Sequence, residues 1–116
     1  MSVAMSGRTF PTLTQRKAER VASLHEAVAT LRGSLENYAR AHGGRFLLYG
    51  SAARGEMRYD SDVDLLLDFP EERLSEAWRY AEDLCRDLGL RPDLCPLAWY
   101  DAEFVARLRH HAVMLG

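Results

Sequence analysis

The chain has 116 residues and a mass of 13.2 kDa, room for one domain and not two. Apolar residues at 47% and charged residues at 28% argue against global disorder, and 15 Lys+Arg against 17 Asp+Glu leave a net charge of −2, no broad electrostatic footprint for DNA or RNA. The apolar runs are too short to span a bilayer, the opening MSVAMSGRTF lacks a signal-peptide core, and the two cysteines, Cys85 and Cys95, exclude a disulfide scaffold and sit at no zinc spacing. The expectation is a small, soluble, cytoplasmic domain.

Residues 1–13 read as a flexible leader rich in Ser, Gly, Thr and Pro, and residues 14–116 as the domain. Thr14 is the expected N-cap of a helix over Gln15–Ala41. Val21, Leu24, Val28, Leu31, Leu35 and Tyr38 recur at steps of three and four, a stripe that packs on a sheet. Gly33 is a place for a weakened or kinked turn, and Gly43-Gly44 stop the helix. Arg45–Tyr49 predicts a short strand, residues 50–61 a loop with a helical turn near Ala52–Met57, and Val63–Phe69 a second strand that Pro70 ends. Glu71–Leu88 predicts a helix whose inner face is Leu74, Ala77, Trp78, Ala81, Leu84, Cys85 and Leu88, with Gly89 at its end. A third strand lies within Leu90–Tyr100, and its prolines, Pro92 and Pro96, suit a sheet edge. Asp101 caps a last helix with Phe104, Val105, Leu108 and Ala112 as apolar positions. The predicted order is helix, strand, turn, strand, helix, strand, helix.

The informative stretch is Leu47–Phe69, LLYGSAARGEMRYDSDVDLLLDF. Gly50-Ser51 follows a strand directly. Glycine lets backbone approach a ligand, and the Ser51 hydroxyl with nearby N–H groups can hold phosphate oxygens. On its own such a turn is commonplace. Arg54 is placed to reach the same phosphates, although a lone arginine there reads equally as solvated surface. Asp62 and Asp64 open the second strand and, two apart, share a face, while Val63, Leu65 and Leu67 turn to the core. Two close carboxylates repel unless a cation lies between them, and Mg²⁺ takes carboxylate and phosphate oxygens together. Ser61 either orients a ligand or caps the turn.

Taken together, Gly-Ser, ten intervening residues and Asp-x-Asp, with Arg-Gly in the gap, resemble the nucleotidyltransferase superfamily of the DNA polymerase beta type, and within it the minimal nucleotidyltransferases, or MNT domains. The positions that match are Gly50, Ser51, Ala53, Arg54, Gly55, Ser61, Asp62, Asp64 and Leu65, and the element order agrees over about residues 18–116. The resemblance implies an α/β fold with a small mixed sheet and helices on one face. It implies a third carboxylate on the next strand: Asp93 is the candidate, with Asp68 and Asp101 competing. It further implies phosphoryl transfer with two Mg²⁺ ions held by Asp62, Asp64 and Asp93, ATP as nucleotide donor, and phosphate contacts from Gly50, Ser51, Arg54 and Ser61. Cys95 shares the face of Asp93 and reads as a small buried cysteine.

MNT domains resemble antitoxins paired with a HEPN-type toxin ribonuclease, so the implied activity is transfer of AMP to a toxin tyrosine, an AMPylation that makes the protein the antitoxin of a toxin–antitoxin system. The HEPN signature R-x4–6-H-x-Y is not in the sequence, which places the toxin on a separate chain. The expected partners are therefore that toxin and ATP, with no membrane and no direct DNA binding, and with a homo- or hetero-oligomer left open. Two alternatives stand beside it: an antitoxin that neutralises by binding alone, and transfer to a small-molecule acceptor. A glycosyltransferase needs a longer chain, and a P-loop enzyme needs G-x-x-x-x-G-K-[ST], which is absent. His25, His42, His110 and His111 show no metal-ligand spacing with a carboxylate. The first and last helices offer apolar faces to a partner, each with core duty as well.

Overall fold

The structure is a computed structural model and describes residues 12–116. Residues 1–11 of the expected leader lie outside the described residues. Helix α1 runs Leu13–His42, and its N-cap is Thr12 rather than Thr14. Thr12 and Gln15 close a capping box, with the Gln15 N–H donating to the Thr12 hydroxyl at 3.1 Å and the Thr12 N–H to the Gln15 amide oxygen at 2.7 Å. Threonine with glutamine three residues on satisfies two helix-end N–H groups reciprocally, which Thr14 has no partner to match. Helix α1 passes through Gly33 unbroken and ends at Gly43, whose φ of 72° is open to glycine.

Strand β1 (Arg45–Tyr49) leads into a short helix α2 (Gly50–Arg54), then strand β2 (Val63–Asp68), helix α3 (Glu71–Asp87) and strand β3 (Pro92–Pro96). A 3-10 turn (Leu97–Trp99), helix α4 (Ala102–Arg109) and strand β4 (Val113–Leu115) complete the described chain. The 3-10 turn and β4 were not expected from the sequence. With three residues, β4 is too short to show a period, and its place is fixed by antiparallel pairing with β1.

The sheet has the order β3-β2-β1-β4. β1 is antiparallel to β2 and β4, and β2 is parallel to β3, so the sheet is mixed and β3 is an edge, as its prolines suggest. Helices α1 and α3 pack on one face. The core joins Leu24, Val28, Leu31, Leu35 and Ala39 of α1 and Ala77, Ala81 and Cys85 of α3 to Phe46, Leu48, Val63, Leu65 and Leu67 of the strands. At the far end of α1, Tyr38 stacks on Tyr80 of α3 with ring centroids 4.1 Å apart. Burial pushes the Cys85 thiol up to about 11, which keeps it an apolar filler. Helix α4 departs from its expected role: Asp101 caps it, accepting from the Phe104 N–H at 2.8 Å, but none of its residues is buried.

Alternation decides what the other face carries. Asp93, Asp64 and Tyr49 are register partners in one row across β3, β2 and β1, and Cys95, Leu66, Leu47 and Met114 form the next. Leu47 and Leu66 are fully buried there, outside the main core, and the 3-10 turn packs against β2. A polar row thus stands beside an apolar one on the face away from α1 and α3. Among the described residues no helix is long and apolar enough to cross a membrane.

Candidate active site

The parallel register of β2 and β3 places Asp64 level with Asp93. Neighbouring strands lie about 4.8 Å apart, so two side chains on one row meet, and the two carboxyls are in hydrogen-bond contact. The Asp64 carboxyl is held above its ordinary value, first by burial, then by the charge and hydrogen bond of Asp93 and the charge of Asp62, with Arg54 opposing.

Gly50 is the floor beneath this pair. Its φ of 73° is a left-handed conformation, and a Cβ there would collide with the Asp64 carboxylate. The φ favours glycine, and any larger residue would oblige the Asp64 carboxylate to move. Ser51 follows in the first turn of α2, where no side chain caps the free backbone N–H groups. Arg54, in the last turn, is close enough to ease ionisation of Asp64, and its Nε donates to Glu56 Oε1 at 2.9 Å. Arg54 also lines a cavity of about 330 Å³ with His25 and Arg32 of α1.

Asp62 stands just before β2, 55% exposed, with its Oδ1 3.1 Å from Arg91 Nε. Arg91 also donates to the Asp60 carbonyl, and its own carbonyl accepts from the Val63 N–H at 2.8 Å. The Ser61 hydroxyl accepts from the Arg58 N–H at 2.7 Å, which shapes the loop ahead of Asp62. The two competitors of Asp93 have other duties: Asp68 pairs with Arg45 at 3.4 Å, and Asp101 caps α4. Cys95 is half-buried rather than buried, because it sits on the edge strand and bonds to the Tyr100 hydroxyl.

Sequence reasoning missed two tyrosines and one arginine here. Tyr49 faces the carboxylates, and burial with the charge of Asp64 lifts its hydroxyl to about 12. Tyr100 is raised by its bond to Cys95, with Asp93 adding to the effect. Strand parity, running Arg45, Leu47, Tyr49, could have found Tyr49. For Arg91, the signal was its place two residues before Asp93, just ahead of β3.

The donor set fits a hard divalent cation. Two carboxylates that meet, with Arg54 only partly offsetting their charge, gain from an ion between them, and the charge of Asp62 also reaches Asp64. Among the described residues, however, no three His, Cys, Asp or Glu side chains are gathered tightly enough to hold an ion as they stand. Asp62 is instead paired with Arg91.

A mixed four-stranded sheet, helices on one face, paired carboxylates on the other and a Gly-Ser turn beneath them define a nucleotidyl-transfer architecture. The sequence profile described as "Nucleotidyltransferase domain" matches residues 28–110. The chain therefore belongs to the nucleotidyltransferase domain family. It is similar to a solved structure described as "Structure of putative minimal nucleotidyltransferase", with 29% identity and a TM-score of 0.62, over 77% of this chain and 93% of that one. No curated protein matches the sequence.

The repulsion at Asp64 has a measurable consequence. The folded chain holds the Asp64 proton to a higher pH than the unfolded chain does. The stability this contributes is complete below the ordinary carboxylate value near 3.8 and is lost as pH rises through Asp64's raised value. Asp93→Asn removes the charge that follows burial among the causes. In chelator, urea unfolding of Asp93→Asn will show a flatter loss between pH 4 and 7 and a gain of about 0.5–1 kcal/mol at pH 7. Identical pH slopes in both proteins would mean that the two carboxyls do not interact.

Proposed function

We propose that the chain is a Mg²⁺-dependent nucleotidyltransferase that passes AMP from ATP to a tyrosine hydroxyl of a separate HEPN-type toxin, and so acts as its antitoxin. The observation that carries the reading is the Asp64–Asp93 pair, level across β2 and β3 and seated on Gly50. Asp62, Asp64 and Asp93 are the residues that would hold metal. Bound Mg²⁺ supplies positive charge to phosphate oxygens and lowers the pKa of an attacking hydroxyl.

The chain's own groups do the rest. The Gly50 and Ser51 N–H groups, the Ser51 hydroxyl and Arg54 hold the phosphates, while Ser61 sets the loop that presents Asp62. The acceptor oxygen bonds to the α-phosphorus, the α–β phosphoanhydride bond breaks, and pyrophosphate leaves. Asp93 takes the acceptor's proton. A protein acceptor suits the aromatic edge that follows Asp93's strand, where Trp99 is 72% exposed and Tyr100 stacks on Phe104.

The test uses ATP labelled at the α-phosphate, Mg²⁺ and the product of a neighbouring gene. We expect label on a tyrosine of that product, lost with chelator. Label on a small molecule instead would move the acceptor class, and protection from the toxin without label would leave neutralisation by binding.

A further inference from the structure

Asp62 and Arg91 present a charge arrangement that the transfer reaction does not require. Arg91 sits between α3 and β3, two residues before Asp93. Its Nε lies 3.1 Å from Asp62, a second guanidinium nitrogen donates to the Asp60 carbonyl, and its carbonyl accepts from Val63. Arg91 therefore grips the approach to β2 at three points, two through its side chain and one through its backbone. Both partners are more than half exposed, 63% for Arg91 and 55% for Asp62, so the pair is weak and exchangeable.

Asp64 already meets Asp93, and Asp62 adds repulsion. With no cation, swinging Asp62 inward would bring a third negative charge onto that pair. Arg91 provides a countercharge and keeps Asp62 outward. We propose that Arg91 is a built-in stand-in for the metal: its guanidinium holds Asp62 while the site lacks a divalent cation and gives it up when the cation arrives. Arg91 is a positioning residue that acts through Asp62. The proposal rests on the metal-dependent reading above, and it assigns the exchange of partners to one ion pair.

Metal affinity and an arginine signal read this directly, without activity. Mn²⁺ binding is followed by the loss of the free-ion EPR signal, on the whole chain. Arg91→Ala is expected to bind Mn²⁺ about two- to fivefold more tightly than the wild type, the scale of a released exposed ion pair. In an Asp62→Asn background the same substitution should change affinity by less than about 1.5-fold, because the carboxylate it restrained is gone. A general effect of removing one positive charge would instead persist in that background and overturn the proposal. So would unchanged or weaker binding by Arg91→Ala in the Asp62 background.

Arg91 also anchors the loop, so a second readout keeps the wild-type side chain. In ¹⁵N NMR the Arg91 Nε–H resonance should move on addition of Mg²⁺, and should not move in Asp62→Asn. A resonance indifferent to Mg²⁺, in a protein that does bind Mn²⁺, defeats the exchange and leaves the metal site standing. Absence of Mn²⁺ binding in every variant defeats both the exchange and the metal-dependent reading.

Discussion

Asp64→Ala will lower nucleotidyl transfer by about 10³-fold or more, with the protein still folded and still bound to its acceptor. The size follows from what the carboxylate does in the proposed reaction. Loss of a metal-holding group removes several kcal/mol of transition-state stabilisation, and about 4 kcal/mol is a thousandfold in rate. The fold should survive because Asp64 contributes repulsion rather than packing: it is half-buried, faces a like charge, and lies on the face away from α1 and α3. Single-turnover label transfer and co-purification with the acceptor, measured on one preparation, check both halves. Transfer at the wild-type rate would remove Asp64 from the chemistry. Full protection of cells by an inactive Asp64→Ala would show that binding alone neutralises the toxin.

Gly50→Ala should lose both stability and transfer. A left-handed φ costs an alanine about 1–2 kcal/mol, and the new Cβ would also displace the Asp64 carboxylate. Together these predict about 2–4 kcal/mol in urea unfolding. Gly55 provides the internal comparison. Its φ is 68°, but a Cβ there meets nothing within 4 Å, so Gly55→Ala should cost only the backbone part. In an Asp64→Gly background, Gly50→Ala should shrink to the same backbone cost, because the colliding carboxylate is absent. If Gly50→Ala costs no more than Gly55→Ala in the wild type, the close approach of Gly50 to Asp64 has no energetic weight.

Much of this architecture was legible because it rests on local rules. Alternation around Val63, Leu65 and Leu67 gave β2 and the face of Asp64, and the helical stripe from Leu24 to Leu35 gave the packed side of α1. Asp93 could be placed by element order, but its level pairing with Asp64 is set by the register of β2 and β3, a non-local fact. Three features stayed hidden for the same reason. The cap at Thr12 depended on where the helix began, β4 on a partner strand far along the chain, and the outward turn of Asp62 on Arg91, 29 positions away in sequence. Helix α4 shows the converse: Phe104, Val105 and Leu108 have the spacing of an inner face, yet none of them is fully buried.

The parallel register of β2 and β3 has a consequence for how this domain tolerates change. The separation of Asp64 from Asp93 is fixed by a backbone ladder, as rungs are fixed by the rails, and not by the length or rotamer of any loop. A slip of one residue would turn the carboxylate of either strand into the apolar layer and bring a leucine out. A one-residue insertion within either strand would therefore misplace a carboxylate unless a bulge absorbed it. The segment from Glu56 to Ser61 and the turn after Pro96 lie outside that ladder, the first leading into β2 and the second following β3. Variation in what the domain modifies can accumulate in those two segments while the spacing that performs the transfer stays constant.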